Sequence, residues 1–204
     1  MSEGPRLVVG ITGASGTVYG LGLLRALRAL PVEVHLVVSQ AGAVTLAVET
    51  GRKLAEIQSL AAHAWRNEDI AAPIASGSFK TLGMIVAPCS TRTAAELATG
   101  VTSGLLTRAA DVCLKERRRL VLLVRETPLH AVHLRNLLAL AELGAVIAPP
   151  VPAFYNAPKS IDDIVAHTVG RVLDLFDLDA GSVRRWAGPR SRRVKPPARA
   201  PAKR

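Results

Sequence analysis

The chain has 204 residues, 49% of them hydrophobic, with 26 Lys or Arg against 16 Asp or Glu and a net charge of +10. That length supports one sizeable core rather than two, and no run approaches the roughly 20 apolar residues of a membrane helix. The opening MSEGPR lacks the basic-then-apolar order of a secretory signal, so a cytoplasmic protein is expected, and two cysteines, Cys89 and Cys113, are too few for a disulfide framework or a zinc site.

In chain order, the first apolar run is LVVGI (7–11), which empties into TGASG, with Gly10, Gly13 and Gly16 at intervals of three. YGLGLLRALRAL then places Leu21, Leu24 and Leu27 on one helical stripe, widened by Leu23 and Leu30. VEVHLVV (32–38) ends at Ser39 and Gln40. LGMIVA (82–87) ends at PCSTRT (88–93). LVLLV (120–124) ends at Arg125 and Glu126, followed by Pro128 as a helix-starting proline and by His130 and His133. RNLLALAELG reads as a helix stopped by Gly144, and AVIA (145–148) runs into PPVPAFYNAPK. SIDDIVAHTVGRVLDLF starts a last helix, with Ser160 as N-cap and Asp163 three residues later. Short apolar runs alternating with helical stretches predict an α/β protein with a Rossmann-like (flavodoxin-like) three-layer fold: a parallel sheet in one domain, residues 1–188.

The charge is lopsided. Residues 189–204, PRSRRVKPPARAPAKR, hold seven Arg or Lys, four prolines and no acid, leaving about +3 for the rest. Such a segment reads as a disordered basic tail, and without an aromatic residue to stack a base it gives little reason to expect nucleic-acid binding.

Every strand exit is polar or glycine-bearing, and in an open parallel sheet these exits share one edge, where ligands settle. The glycines of GITGASG free backbone amides for a phosphate at a helix N-terminus. A dinucleotide site asks also for an acid at the end of the second strand, and Ser39 and Gln40 stand there instead. YNAPK, residues 155–159, copies the Tyr-x-x-x-Lys spacing of short-chain dehydrogenases, but Pro158 argues against the helix which that chemistry needs. A mononucleotide, with one phosphate and a flat ring, is left. Arg125 suits its phosphate and Glu126, as a partly desolvated carboxylate, suits proton transfer; the plainer reading of that pair is an ion pair capping the next helix. The five histidines are scattered without ligand spacing, and no metal is expected.

The segments GITGASGTVYG, IASGSFKTLGMIVAPCS, RAADVCLKERRRLVLLVRETPLHAVHLRNLLAL and PPVPAFYNAPKSIDDIV together resemble the UbiX-type flavin prenyltransferases over residues 6–188. The resemblance implies FMN held by Gly13, Ala14, Ser15, Ser39, the loop Ser90, Thr91, Arg92 and Thr93, and Arg125. It implies dimethylallyl monophosphate met by Ser15, Arg108, Lys115, Tyr155 and Arg171, some of them from a neighbouring subunit. Reduced FMN is then alkylated at N5 and C6 without a metal, and the prenylated FMN serves a UbiD-type decarboxylase. Glu126 matches the family's proton-transfer group, Glu49 an acidic position close by, and Trp186 an aromatic that covers the site. The family's loop reads Ser-Met-x-Thr, whereas Thr91 stands here at the methionine. A homo-oligomer, a dodecamer in that family, is implied. An FMN-dependent cysteine decarboxylase of the same fold and a non-catalytic flavoprotein are the rival readings.

Overall fold

The computed structural model describes residues 4–181. Six strands form one parallel sheet: β1 (Arg6–Ile11), β2 (Glu33–Val38), β3 (His63–Trp65), β4 (Gly83–Cys89), β5 (Arg119–Val124) and β6 (Val146–Ile147). Their spatial order is β3-β2-β1-β4-β5-β6. The helices are α1 (Thr17–Leu27), α2 (Gln40–Thr50), α3 (Leu54–Gln58), α4 (Thr91–Ala98), α5 (Leu105–Lys115), α6 (Ala131–Glu142) and α7 (Ile161–Asp174), with a 3-10 turn at Pro73–Ala75. None of them is long and apolar enough to cross a membrane.

The alternation of side chains along each strand splits the interior into two cores. On one face Leu7, Val9, Ile11, Ile85, Val121 and Leu123 pack with Leu21 and Leu24 of α1 and with Val165, Val169 and Leu173 of α7. On the other, Val8, Met84, Val86, Leu120 and Leu122 pack with Leu97 of α4, Leu106 and Ala109 of α5 and Leu140 of α6. Strands covered on both faces must be apolar at nearly every position, which is why they read as continuous runs. Each fully buried Leu contributes about 1.5–3 kcal/mol, so these paired cores hold the sheet.

The five expected strands are all present. The sixth, β3, is three residues, HAW, with no apolar run to announce it. At the last helix Ser160 Oγ accepts from the Asp163 amide at 3.1 Å, while Asp163 Oδ2 accepts from the Ser160 amide at 3.1 Å, so the capping box forms with Asp in place of Glu. Gly144 sits at φ +97° just past α6, a left-handed stop that a side chain would strain. Tyr155 to Lys159 form no helix, in keeping with Pro158. Pro128 needs a correction: it does not begin a helix. It follows a cis peptide bond after Thr127, and α6 starts three residues later with His130 as its cap, Nδ1 accepting from the amides of Val132 and His133.

Candidate functional site

The chain leaves β1 for β2 on one side and later returns to β4 on the other, so the sheet's switch point lies beside the end of β1. There the N-termini of α1, α2 and α4 follow the ends of β1, β2 and β4. Two are capped from within: Ser39 Oγ accepts from the Gly42 amide at 3.0 Å, and Ser90 Oγ accepts from the Thr93 amide at 3.2 Å while donating to Thr93 Oγ1 at 3.0 Å. Thr12 locks β1 to β4, its hydroxyl donating to the Pro88 carbonyl and accepting from the Ser90 amide, both at 2.8 Å. Sequence reasoning passed over Thr12. Its place between the last residue of β1 and the first turn glycine is the signal that was available.

The glycine turn is divided in its use. The successive amides of Gly13, Ala14 and Ser15 donate to no acceptor among the described residues, which leaves a concave row of donors suited to an anion. The next two amides are taken. Glu49, at the end of α2, accepts from Gly16 N at 2.9 Å and Thr17 N at 2.8 Å, and from the Thr17 hydroxyl at 2.7 Å. Burial alone would raise its pKa, but these bonds and one from the Ser15 side chain outweigh it and hold the carboxyl below its ordinary value. Gly13 has a packing role as well: a Cβ there would stand 2.6 Å from Ala41 Cβ, so its missing side chain lets α2 close on the turn. Gly16 lies at φ +105°, where glycine is the natural occupant.

Arg125 reaches this turn from the end of β5. Its Nε donates to the Ser15 carbonyl at 2.9 Å, and its amide donates to Cys89 O at 3.2 Å. No Arg125–Glu126 ion pair is seen among the described residues; instead Glu126 Oε1 accepts from the Thr127 amide at 3.0 Å. Glu126 is exposed on the single chain, so the partial desolvation expected of it is not found among the described residues. Arg92 turns along α4, where its Nε bonds Glu96 Oε1 at 2.9 Å. Thr91 is half-buried and Thr93 buried.

The residues expected at the substrate phosphate separate into groups. Tyr155 Oη lies 3.2 Å from His167 Nε2 on α7, and Arg171 follows His167 by one turn, its NH1 bonded to Asp174 Oδ2 at 2.7 Å. Arg108 on α5 donates to the Ala75 carbonyl at 3.2 Å and to Asp111 Oδ2 at 2.8 Å. Lys115 ends α5 and pairs with Glu116. Because α5 carries the chain back to where β5 begins, Lys115 is on the edge opposite the glycine turn. The structure does not bring Lys115 to that turn within one chain. Trp186 lies outside the described residues. Both cysteine thiols are buried, which pushes each pKa up to about 12. A cavity of about 510 Å³ lined by Arg117, Arg118, Arg119 and Phe176 also opens on the far edge, away from this site.

A doubly wound sheet with an open row of amides at its switch point, and no acid for a second ribose, defines a mononucleotide-binding α/β protein. The family model named Flavoprotein matches residues 1–173. The flavin prenyltransferase UbiX of Escherichia coli (strain K12) is 56% identical over 186 residues, covering 90% of this chain and 98% of that one. The crystal structure of AnUbiX in complex with FMN and dimethylallyl pyrophosphate superposes with a TM-score of 0.89 at 51% identity, covering 90% of this chain and 98% of the other. A dodecameric FMN-dependent Ubix-like decarboxylase from Escherichia coli O157:H7 gives 0.88 at 50% identity, over 90% and 100%. The chain belongs to the flavin prenyltransferases of the UbiX type.

Proposed function

We propose that this protein transfers a dimethylallyl group from dimethylallyl monophosphate to N5 and C6 of reduced FMN, making prenylated FMN for a UbiD-type decarboxylase in the cytoplasm. The observation that carries the reading is the row of unengaged amides at Gly13, Ala14 and Ser15, braced by Arg125 through the Ser15 carbonyl. These groups fit an anion and a flat ring lying against the backbone, and Ser39, Ser90 and Thr93 supply two further helix N-termini beside them. When bound, reduced FMN supplies the nucleophilic ring.

The remaining roles fall to this chain's side chains. A leaving phosphate needs fixed cations, which Arg108, Lys115 and Arg171 provide, with Ser15 and Tyr155 as hydrogen-bond donors. Glu126 is the proton-transfer group for ring closure, in which the proton lost from C6 would replace the one taken up by the prenyl double bond, and Trp186 shuts out water. Glu49 holds the start of α1 in the shape that keeps Ser15 in place. Because Lys115 stands on the far edge of its own sheet, a neighbouring subunit supplies it, which calls for a homo-oligomer such as the dodecamer formed by the Escherichia coli O157:H7 relative.

Anaerobic incubation with reduced FMN and dimethylallyl monophosphate, followed by mass analysis of the flavin, tests the reading. A flavin heavier by one dimethylallyl unit is expected. Unchanged FMN with both partners bound refutes the transfer.

A further inference from the structure

At the edge where the strands begin, β2 and β3 place Glu33, His35 and His63 on one face of the sheet. The register pairs His35 with His63 directly, and Glu33 precedes His35 by two residues. His35 Nε2 lies 2.9 Å and His63 Nε2 3.3 Å from the same oxygen, Glu33 Oε1, and the three donor atoms all fall within 4.8 Å of one another. In a tetrahedral zinc site with bonds of about 2.0–2.1 Å, donor atoms stand about 3.3 Å apart, so the set is nearly at ligating separation before any ion arrives. Its exposure is graded: the His35 side chain is 3% exposed, Glu33 31% and His63 49%. An ion could therefore enter from solvent and keep a water.

We infer that Glu33, His35 and His63 form a binding site for a transition-metal dication of the zinc class, separate from the flavin crevice. Two imidazoles and one carboxylate suit zinc or cobalt(II) and disfavour magnesium and calcium, which prefer oxygen-only sets. The ion would pin the short edge strand β3 to β2. That matters beyond the edge, because Asn67, two residues past β3, holds the start of α5: its carbonyl accepts from Leu105 N at 2.7 Å and its side chain from Leu106 N at 3.0 Å.

Two neighbours set the cost of loading. Arg6 Nε lies 3.6 Å from Glu33 Oε1 and its guanidinium stacks over Phe79, so a positive charge already faces the carboxylate and weakens the site. Trp65 Nε1 donates to His35 Nδ1 at 3.1 Å, which places the ring proton of neutral His35 on Nε2, toward Glu33. Metal at Nε2 requires that proton to move to Nδ1. There it meets the indole N–H, and Trp65 must swing away from its stack with His35 and His63. No proton is released by His35 itself, and Trp65 becomes a reporter of occupancy.

The test uses full-length protein freed of metal by a chelator, titrated calorimetrically with zinc chloride and spectroscopically with cobalt(II). One zinc per chain, visible cobalt bands and a change in tryptophan fluorescence are expected. His63→Ala and Glu33→Gln should each weaken zinc at least about tenfold, with unchanged circular dichroism showing that both still fold. Trp65→Phe should bind at least as tightly and lose the fluorescence response. His133→Ala probes the stacked His130–His133 pair at the start of α6 and should bind as the parent does. Absence of zinc binding, equal binding by His63→Ala, or loss of binding in His133→Ala overturns the site.

Discussion

Glu49, on the last turn of α2, grips Thr17 at both its amide and its hydroxyl, at 2.8 and 2.7 Å, and so caps α1 from another element of the fold. Gly16, which precedes the helix, has no side chain to do it. A carboxylate at that position satisfies orphan amides and faces the positive end of the helix.

Glu49→Ala should therefore cost about 1 kcal/mol, since the group is exposed and the bonds resemble an N-cap. Because the folded-state pKa is depressed, this stabilisation is present above the ordinary value of 4.5 and disappears as pH falls through the lower folded-state value. Urea unfolding of the parent and the variant should show a gap at pH 7 that narrows below pH 4.5. A gap that stays constant into acid would assign the effect to packing instead of charge.

Cys89 and Cys113 should be inert in the native protein. With each thiol pushed up to about 12 by burial, the thiolate that attacks a disulfide reagent is almost absent near neutral pH. Both should react slowly with a chromogenic disulfide in buffer and at once in denaturant. Rapid labelling of Cys89, which directly precedes Ser90, would show that the end of β4 opens readily.

The sheet was legible because strands covered on both faces must be apolar, and five of them announced themselves by composition alone. β3 was not, since an edge strand of three residues carries no periodicity, and the Glu33–His35–His63 cluster stayed hidden with it. Spacing along the chain cannot show a pair made by register. At the crevice, the strand exits marked the segments that carry Gly13, Ser15, Ser90 and Arg125, while their individual assignment to FMN came from the family resemblance. The sequence did not reveal that Glu49 takes the Gly16 and Thr17 amides, because that contact joins helices 32 residues apart. Nor did it show which edge of the sheet each cation occupies.

Arg125→Ala should weaken FMN by about tenfold or more, the usual loss for a charge-assisted bond in a partly enclosed site. Lys should not rescue it, because the bond to the Ser15 carbonyl comes from Nε while the rest of the fork is left for the phosphate, and an ammonium cannot do both. Fluorescence quenching of FMN on titration measures this. Full affinity in Arg125→Lys would mean that only the charge matters.

Glu126 and Lys115 lie at opposite ends of β5, which spans Arg119 to Val124, so about 20 Å of strand separates their edges. One subunit cannot place both at a single phosphate. Glu126→Gln should keep FMN bound and slow turnover about 10²- to 10⁴-fold, since Gln keeps the shape but exchanges no proton. Lys115→Ala should chiefly raise KM for dimethylallyl monophosphate. Coexpressing the two variants then separates the arrangements. If the lysine crosses a head-to-tail interface, a site hosted by a Lys115→Ala subunit regains its lysine from a Glu126→Gln neighbour, and with random mixing about a quarter of the sites carry both groups. Assayed with dimethylallyl monophosphate well below the KM of Lys115→Ala, where both separate variants are slow, activity of the mixed oligomer should rise to about that fraction of the parent's. If the mixture assembles normally and gains no activity over the separate variants, Lys115 serves no neighbouring site, and the assignment of the leaving phosphate to a subunit interface fails.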